Sequence, residues 1–257
     1  MSNSLEKNDN IDSFTYNSYI NIPLIKIENT NSINTEDMIV SEFPLDLFIN
    51  EKYSNTFLCS PNKLKELVVG YIYSKNLIDS KDDILDFKLD KNSKRAEIKI
   101  KEIHPSLDNY EALNINPIKN NSLNISASEI YKVMEYNLNA SQIFKNTAAV
   151  HNISIYHNNG VVISCDDVAR HNALDKAIGH CILNNIPLDE SIVFVSGRFS
   201  FEMMKKATRA KIPIIVAKSA TTSLSMEAAE KLNITLVGFV RGKRMNIYTN
   251  PHRIILE

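Results

Sequence analysis

Gly160-Val161-Val162-Ile163-Ser164-Cys165-Asp166-Asp167-Val168-Ala169-Arg170-His171-Asn172-Ala173-Leu174-Asp175-Lys176 is the stretch from which the fold is read. It opens as a short apolar run of strand character. Its last eleven residues crowd three Asp, an Arg, a His, an Asn and a Lys into one connection. Beyond it, Leu174, Ala177, Ile178, Cys181 and Ile182 recur three and four apart, the spacing of a helix with one apolar face. A polar cluster that closes a strand and opens a helix is where open α/β sheets bind ligands. The same residues also serve an ordinary charged turn and helix start.

The pattern repeats toward the C-terminus. The run at 191–196 precedes a helical pattern over 200–210, and the run at 213–217 precedes another over 223–232. Runs at 234–240 and 245–248 follow. Short apolar strands buried on both faces, alternating with helices, predict a parallel α/β sheet over 147–257. At its start, Asn158-Asn159-Gly160 between two strand runs signals a hairpin.

Upstream, residues 37–146 read as a smaller α+β part. Strands over 38–49 and 53–58 are linked by Asn50-Glu51-Lys52, and Pro44 points to an edge or a bulge. Ser60-Pro61 has the form of a helix N-cap followed by proline at the first helical position. Residues 84–89 and 96–103 predict an exposed hairpin. The polar segment 104–124 is the longest loop, and Ser126 with Glu129 predicts a capping box for a helix ending near Asn139. Residues 1–36 are expected to be a disordered or loosely attached leader, polar and rich in Asn and Ser.

Composition narrows the function. A net charge of -1 argues against broad nucleic-acid binding, which needs an excess of cations. No apolar run is long enough to span a bilayer, and the N-terminus lacks a signal peptide's apolar centre, so no membrane association is expected. Three widely spaced cysteines, Cys59, Cys165 and Cys181, fit a reducing cytoplasm rather than a disulfide scaffold. The six histidines show no metal-ligand spacing and no Cys-x-x-Cys occurs, so no metal site is expected. Cys181 lies on the apolar face of its helix, Cys165 is followed by two carboxylates that disfavour a thiolate, and Cys59 precedes a helix start.

Strand-end connections carry the candidate binding residues. The first supplies Asp167, Arg170, His171 and Asn172, and the second is Ser196-Gly197-Arg198-Phe199-Ser200. The third opens at Lys218 and is rich in hydroxyls. Backbone N–H groups at a helix start beside an Arg suit an oxyanion. Phe239, Val240, Arg241, Gly242, Lys243 and Arg244 form a compact basic turn. It serves a solvated hairpin or, through the planar Arg fork, a nucleotide diphosphate.

At these residues the chain resembles the formate dehydrogenase accessory protein family, FdhD. The resemblance rests on residues 167–176, 195–203 and 236–248, with weaker echoes at Glu42-Phe43-Pro44-Leu45 and Cys59-Ser60-Pro61. It implies a cytidine-deaminase-like α/β fold and a cytoplasmic protein that carries sulfur from a cysteine desulfurase to the molybdenum bis(molybdopterin guanine dinucleotide) cofactor. That cofactor is then inserted into the formate dehydrogenase catalytic subunit. It also implies a homodimer, GDP as a cofactor analogue, and a cofactor-binding segment at Phe239 to Arg244. Members of the family carry a persulfide-forming Cys-x-x-Cys in the central loop, whereas residues 104–124 here contain no cysteine. Alanine also stands where glycine is usual, at Ala169 and at Ala148-Ala149. Two readings follow: a sulfurtransferase with Cys59 as carrier, or a non-catalytic cofactor chaperone with no catalytic residue of its own.

Overall fold

A computed structural model describes residues 17–101, 116–119 and 122–256. It opens with β1 (Tyr19–Glu28) and β2 (Asn31–Val40), paired antiparallel along their whole length. The segment expected as a leader is therefore a β-ribbon from Tyr19 onward. Alternating Ile20, Ile22 and Leu24 favour strand, and Asn29 takes the left-handed turn position (φ 56°). Residues 1–16 lie outside the described residues.

β3 (Phe43–Ile49) and β4 (Lys52–Cys59) form a hairpin. Both turn residues, Asn50 and Glu51, have positive φ, as a two-residue turn with the sheet's twist requires. The strand expected over 38–49 breaks at Ser41-Glu42. Pro44 is in neither an edge strand nor a bulge: β3 is interior, but Pro44 precedes the point where pairing with the third strand begins, so its missing N–H leaves no gap there. α1 (Leu64–Ser74) begins after a left-handed Lys63 rather than at Ser60. β5 (Ile84–Asp90) and β6 (Arg95–Ile100) complete a four-stranded sheet of order β4-β3-β6-β5. The β5–β6 hairpin is not exposed as expected, because Ala96, Ile98 and Ile100 of β6 are buried.

After the long connection come β7 (Ile125–Ser126), α2 (Ala127–Asn139) and α3 (Gln142–Thr147). Ser126 Oγ caps α2 by accepting from the Glu129 N–H at 3.2 Å, but the expected capping box is not closed, and the Glu129 carboxylate accepts from Tyr156 Oη instead. The rest of the chain is β8 (His151–His157), β9 (Gly160–Asp167), α4 (Arg170–Leu183), β10 (Ile192–Val195), α5 (Phe201–Arg209), β11 (Ile214–Ala217), α6 (Ser223–Lys231), β12 (Thr235–Arg241), β13 (Arg244–Thr249) and β14 (Ile254–Ile255). Six of these strands form one sheet, β13-β12-β11-β10-β8-β9. It is mixed, not all-parallel. Helix crossovers keep β10, β11 and β12 parallel, while tight hairpins force β8 against β9 and β12 against β13 antiparallel.

Both faces of this sheet are buried, which explains its continuous apolar strands. Ile192, Phe194, Ile214 and Val216 join Ile130, Val133 and Met134 of α2 on one side. Val193, Val195, Ile215 and Ala217 pack with residues of α4, α5 and α6 on the other. That second cluster continues through α1 to Leu45, Leu47 and Ile98 of the smaller sheet, so residues 37–146 and 147–257 share a core. α1 and α4 cross with almost no separation. A Cβ on Gly70 would lie 1.8 Å from the Asp175 carbonyl oxygen, and one on Gly179 would lie 1.9 Å from that of Glu66.

Candidate functional site at the strand ends

The parallel strands and β9 end at one edge of the large sheet, and β8 begins there. Register places His151 opposite Asp167, and the Ser196 N–H donates to the Asn152 carbonyl at 3.0 Å. The Lys218 N–H donates to the Val195 carbonyl, and that of Phe239 to Ser219. The four connections singled out in the sequence thus lie side by side along one shelf, as strand-end sites do.

Not all of their residues face a ligand. Asp167 is fully buried, with Lys176 Nζ 2.6 Å from its Oδ2. Its carboxylate also accepts from the N–H groups of Ser60 and Ala169 and from Asn172 Nδ2. Lys176 donates further to the Ser60 carbonyl (3.0 Å) and Asn62 Oδ1 (2.7 Å). Ser60 Oγ accepts from the Val168 N–H. This network corrects two expectations. Ser60 cannot cap α1, because its polar groups hold the β9–α4 connection. Asp167 and Asn172 are turned inward, because a buried carboxylate needs its full set of donors. Ser196 is likewise committed, its Oγ accepting from the Asn152 N–H at 2.9 Å.

What remains toward the shelf is cationic and imidazole. Arg170 opens α4, and His171 follows it. His151 lies against Gly197, where a Cβ would come within 3.2 Å of its Nδ1. Burial, followed by the Arg170 charge, holds both His151 and His171 below the ordinary imidazole range. Lys206 also lowers His171, and it pairs with the buried Asp175 beneath. Arg198 is exposed and Lys218 half-buried.

The basic turn stands four strand spacings from Asp167, about 19 Å at the usual interstrand distance. It joins β12 to β13, with Arg241 paired across to Arg244 and Gly242 at φ 58° with open space beside it. Arg241, Lys243 and Arg244 are exposed, and among the described residues none is paired with a carboxylate. The Arg241 guanidinium lies 5.7 Å from the ring of Phe239, itself held at φ 51° by a bulge in β12. Sequence reasoning found the turn and the shelf. It did not place His151 among the binding residues, although Val150-His151 stands where the family resemblance puts a Val-His pair.

The cysteines are sequestered. Cys59, Cys165 and Cys181 have no solvent exposure, and burial pushes each thiol up to about 12. Cys59 Sγ donates to the Phe43 carbonyl at 3.4 Å. A thiol so buried is neither a thiolate nor open to solvent in this structure. No group of metal-ligating side chains occurs among the described residues, and no helix there is long and apolar enough to cross a membrane. A cleft of about 460 Å³ lies at the opposite end of the sheet, lined in part by Tyr73, Asp79, Lys81 and Arg209. It is remote from the shelf.

Comparison with known proteins agrees with this architecture. The chain is 36% identical over 239 residues to the sulfur carrier protein FdhD of Bacillus pumilus, covering 85% of this chain and 90% of that protein. It is 33% identical to that of Halalkalibacterium halodurans, covering 90% and 94%. A solved structure described as a formate dehydrogenase accessory protein from Desulfotalea psychrophila superposes with a TM-score of 0.84 at 23% identity, covering 93% of this chain and all of that one. At that identity the likeness speaks for the fold. The profile of the FdhD/NarQ family matches residues 40–255, and the chain belongs to that family.

Proposed function

We propose that this protein acts in formate dehydrogenase maturation by holding the anionic bis(molybdopterin guanine dinucleotide) molybdenum cofactor along the strand-end shelf. The observation that carries the reading is the hairpin turn of Arg241, Lys243 and Arg244, cations with no carboxylate partner among the described residues, beside the exposed ring of Phe239. Unpaired guanidinium groups match phosphate oxygens in pairs, the open backbone at Gly242 admits close approach, and an aromatic face takes a purine. The relatives named sulfur carriers supply the pathway. A cytidine-deaminase-like relationship of the sheet, a cytoplasmic setting, a homodimer, and a cysteine desulfurase and formate dehydrogenase as partners belong to the same reading. GDP, the exposed end of such a cofactor, should bind saturably, and Arg241→Ala with Arg244→Ala should weaken it roughly ten- to a hundredfold, as expected for lost charged hydrogen bonds. Calorimetry that finds no saturable GDP binding, or none that depends on the two arginines, overturns the site.

A second reading concerns the sulfur. With all three cysteines buried and none in the central loop, the protein serves as a cofactor chaperone without a persulfide of its own. Incubation with a cysteine desulfurase, cysteine and a persulfide-trapping label, followed by mass spectrometry, should leave the chain unlabelled. Label on Cys59 would restore the sulfur-carrier mechanism.

A further inference from the structure

Two polar atoms at the shelf have no partner among the described residues. Arg170 Nε and Ser200 Oγ are both closed off from solvent, and neither makes a hydrogen bond. Ser200 stands at the N-cap of α5 without a side-chain capping hydrogen bond. A buried donor left without an acceptor is costly, so such an atom at a strand-end shelf is a candidate to meet a ligand. Arg170 is also the charged group closest in effect to both His151 and His171, and His151 lies against Gly197, three residues before Ser200. A guanidinium, two imidazoles and a hydroxyl therefore stand on the adjacent connections at the ends of β9, β8 and β10.

We propose that Arg170, Ser200, His151 and His171 form an oxyanion subsite that takes a phosphate or diphosphate group. It is separate from the Arg241–Arg244 turn. Two to four strand spacings, about 10 to 19 Å, lie between the turn and the members of the subsite. One extended dinucleotide is then held at two points, its guanine end at the turn and a second anionic group at Arg170. The proposal rests on the cofactor-holding reading only for the identity of that ligand, since the subsite itself requires only an oxyanion.

The two imidazoles report on occupancy. The charges facing His171 are Arg170, Lys206, Glu202 and His151, and those facing His151 are Arg170 and Asp167. Burial and then the Arg170 charge hold both rings below the ordinary imidazole range, so an anion bound at Arg170 raises both titration midpoints.

Inorganic pyrophosphate is the probe, with imidazole NMR of the full chain as the readout. Saturating pyrophosphate should raise the His151 and His171 midpoints together while leaving exposed His252 unmoved. Arg170→Gln and Ser200→Ala should each weaken pyrophosphate binding, the first roughly ten- to a hundredfold. The Arg241→Ala/Arg244→Ala double variant should keep the histidine response. Because Arg170→Gln could alter the fold, its thermal transition is compared with that of Arg170→Lys, which keeps the charge and should retain part of the response. Pyrophosphate that leaves both histidines unmoved, or that binds all variants equally, overturns the subsite while GDP binding at the turn stands or falls by its own measurement. A histidine response that persists when GDP fails to bind removes the cofactor reading and leaves the subsite.

Discussion

Lys176 shows what single residues do in this protein. Its ammonium is fully buried, paired with Asp167 and donating to Ser60 and Asn62 from the other half of the chain. Burying two charges is costly, and the pair is tolerated because the carboxylate and the ammonium are both saturated with partners. Lys176→Met should leave Asp167 buried without its cation and cost about 3–5 kcal/mol, read as a lower midpoint in urea unfolding. An unchanged midpoint would mean that Asp167 is not charged in the native state. Sequence alone placed Asp167, Asn172 and Lys176 at a strand end but could not say which way they face. Direction is set by Ser60 and Asn62, more than a hundred residues earlier in the chain.

At the scale of elements, the family's two glycine-to-alanine departures behave differently. Ala169 has extended backbone (φ −110°), which any residue adopts without strain. Ala148 ends α3 at φ 54°, in the left-handed region that disfavours a Cβ, and its N–H donates to the Phe144 carbonyl at 2.7 Å. Ala148→Gly should therefore stabilise the protein by about 1 kcal/mol, whereas Ala169→Gly should not stabilise it. Thermal unfolding of the two variants checks the contrast. Gly70 is constrained in the opposite sense, because α4 backbone occupies the place of its side chain. Gly70→Ala must push α1 from α4, costing about 1–3 kcal/mol or more in the same measurement. Helix periodicity located both helices, but it carries no record of how closely two of them approach.

Across the whole molecule, one apolar cluster runs from the small sheet through α1 and α4 to the large sheet. Two parts that share a core should unfold together. Cys59 of β4, Cys165 of β9 and Cys181 of α4 sample that core at separate points in the chain, and all are buried. A thiol reagent should find none of the three in the native protein and all three across a single urea transition that coincides with loss of helical signal. A cysteine that reacts earlier would show that its part of the core opens by itself. The same continuity fixes the shelf, since the β9–α4 connection is held from behind by the β4–α1 connection.

From residue order alone come the alternation of strands and helices after residue 147, the Ser126 cap, the hairpin turns, the basic turn and the family motifs. Each is written in local spacing and in the steric demands of single residues. Long-range packing sets the strand order of the mixed sheet and turns Asp167 and Asn172 to the core. It also decided that the three thiols are closed off and that His151 joins Arg170 and His171. These outcomes depend on which distant segments share a dielectric and a hydrogen bond, and no spacing along the chain encodes that.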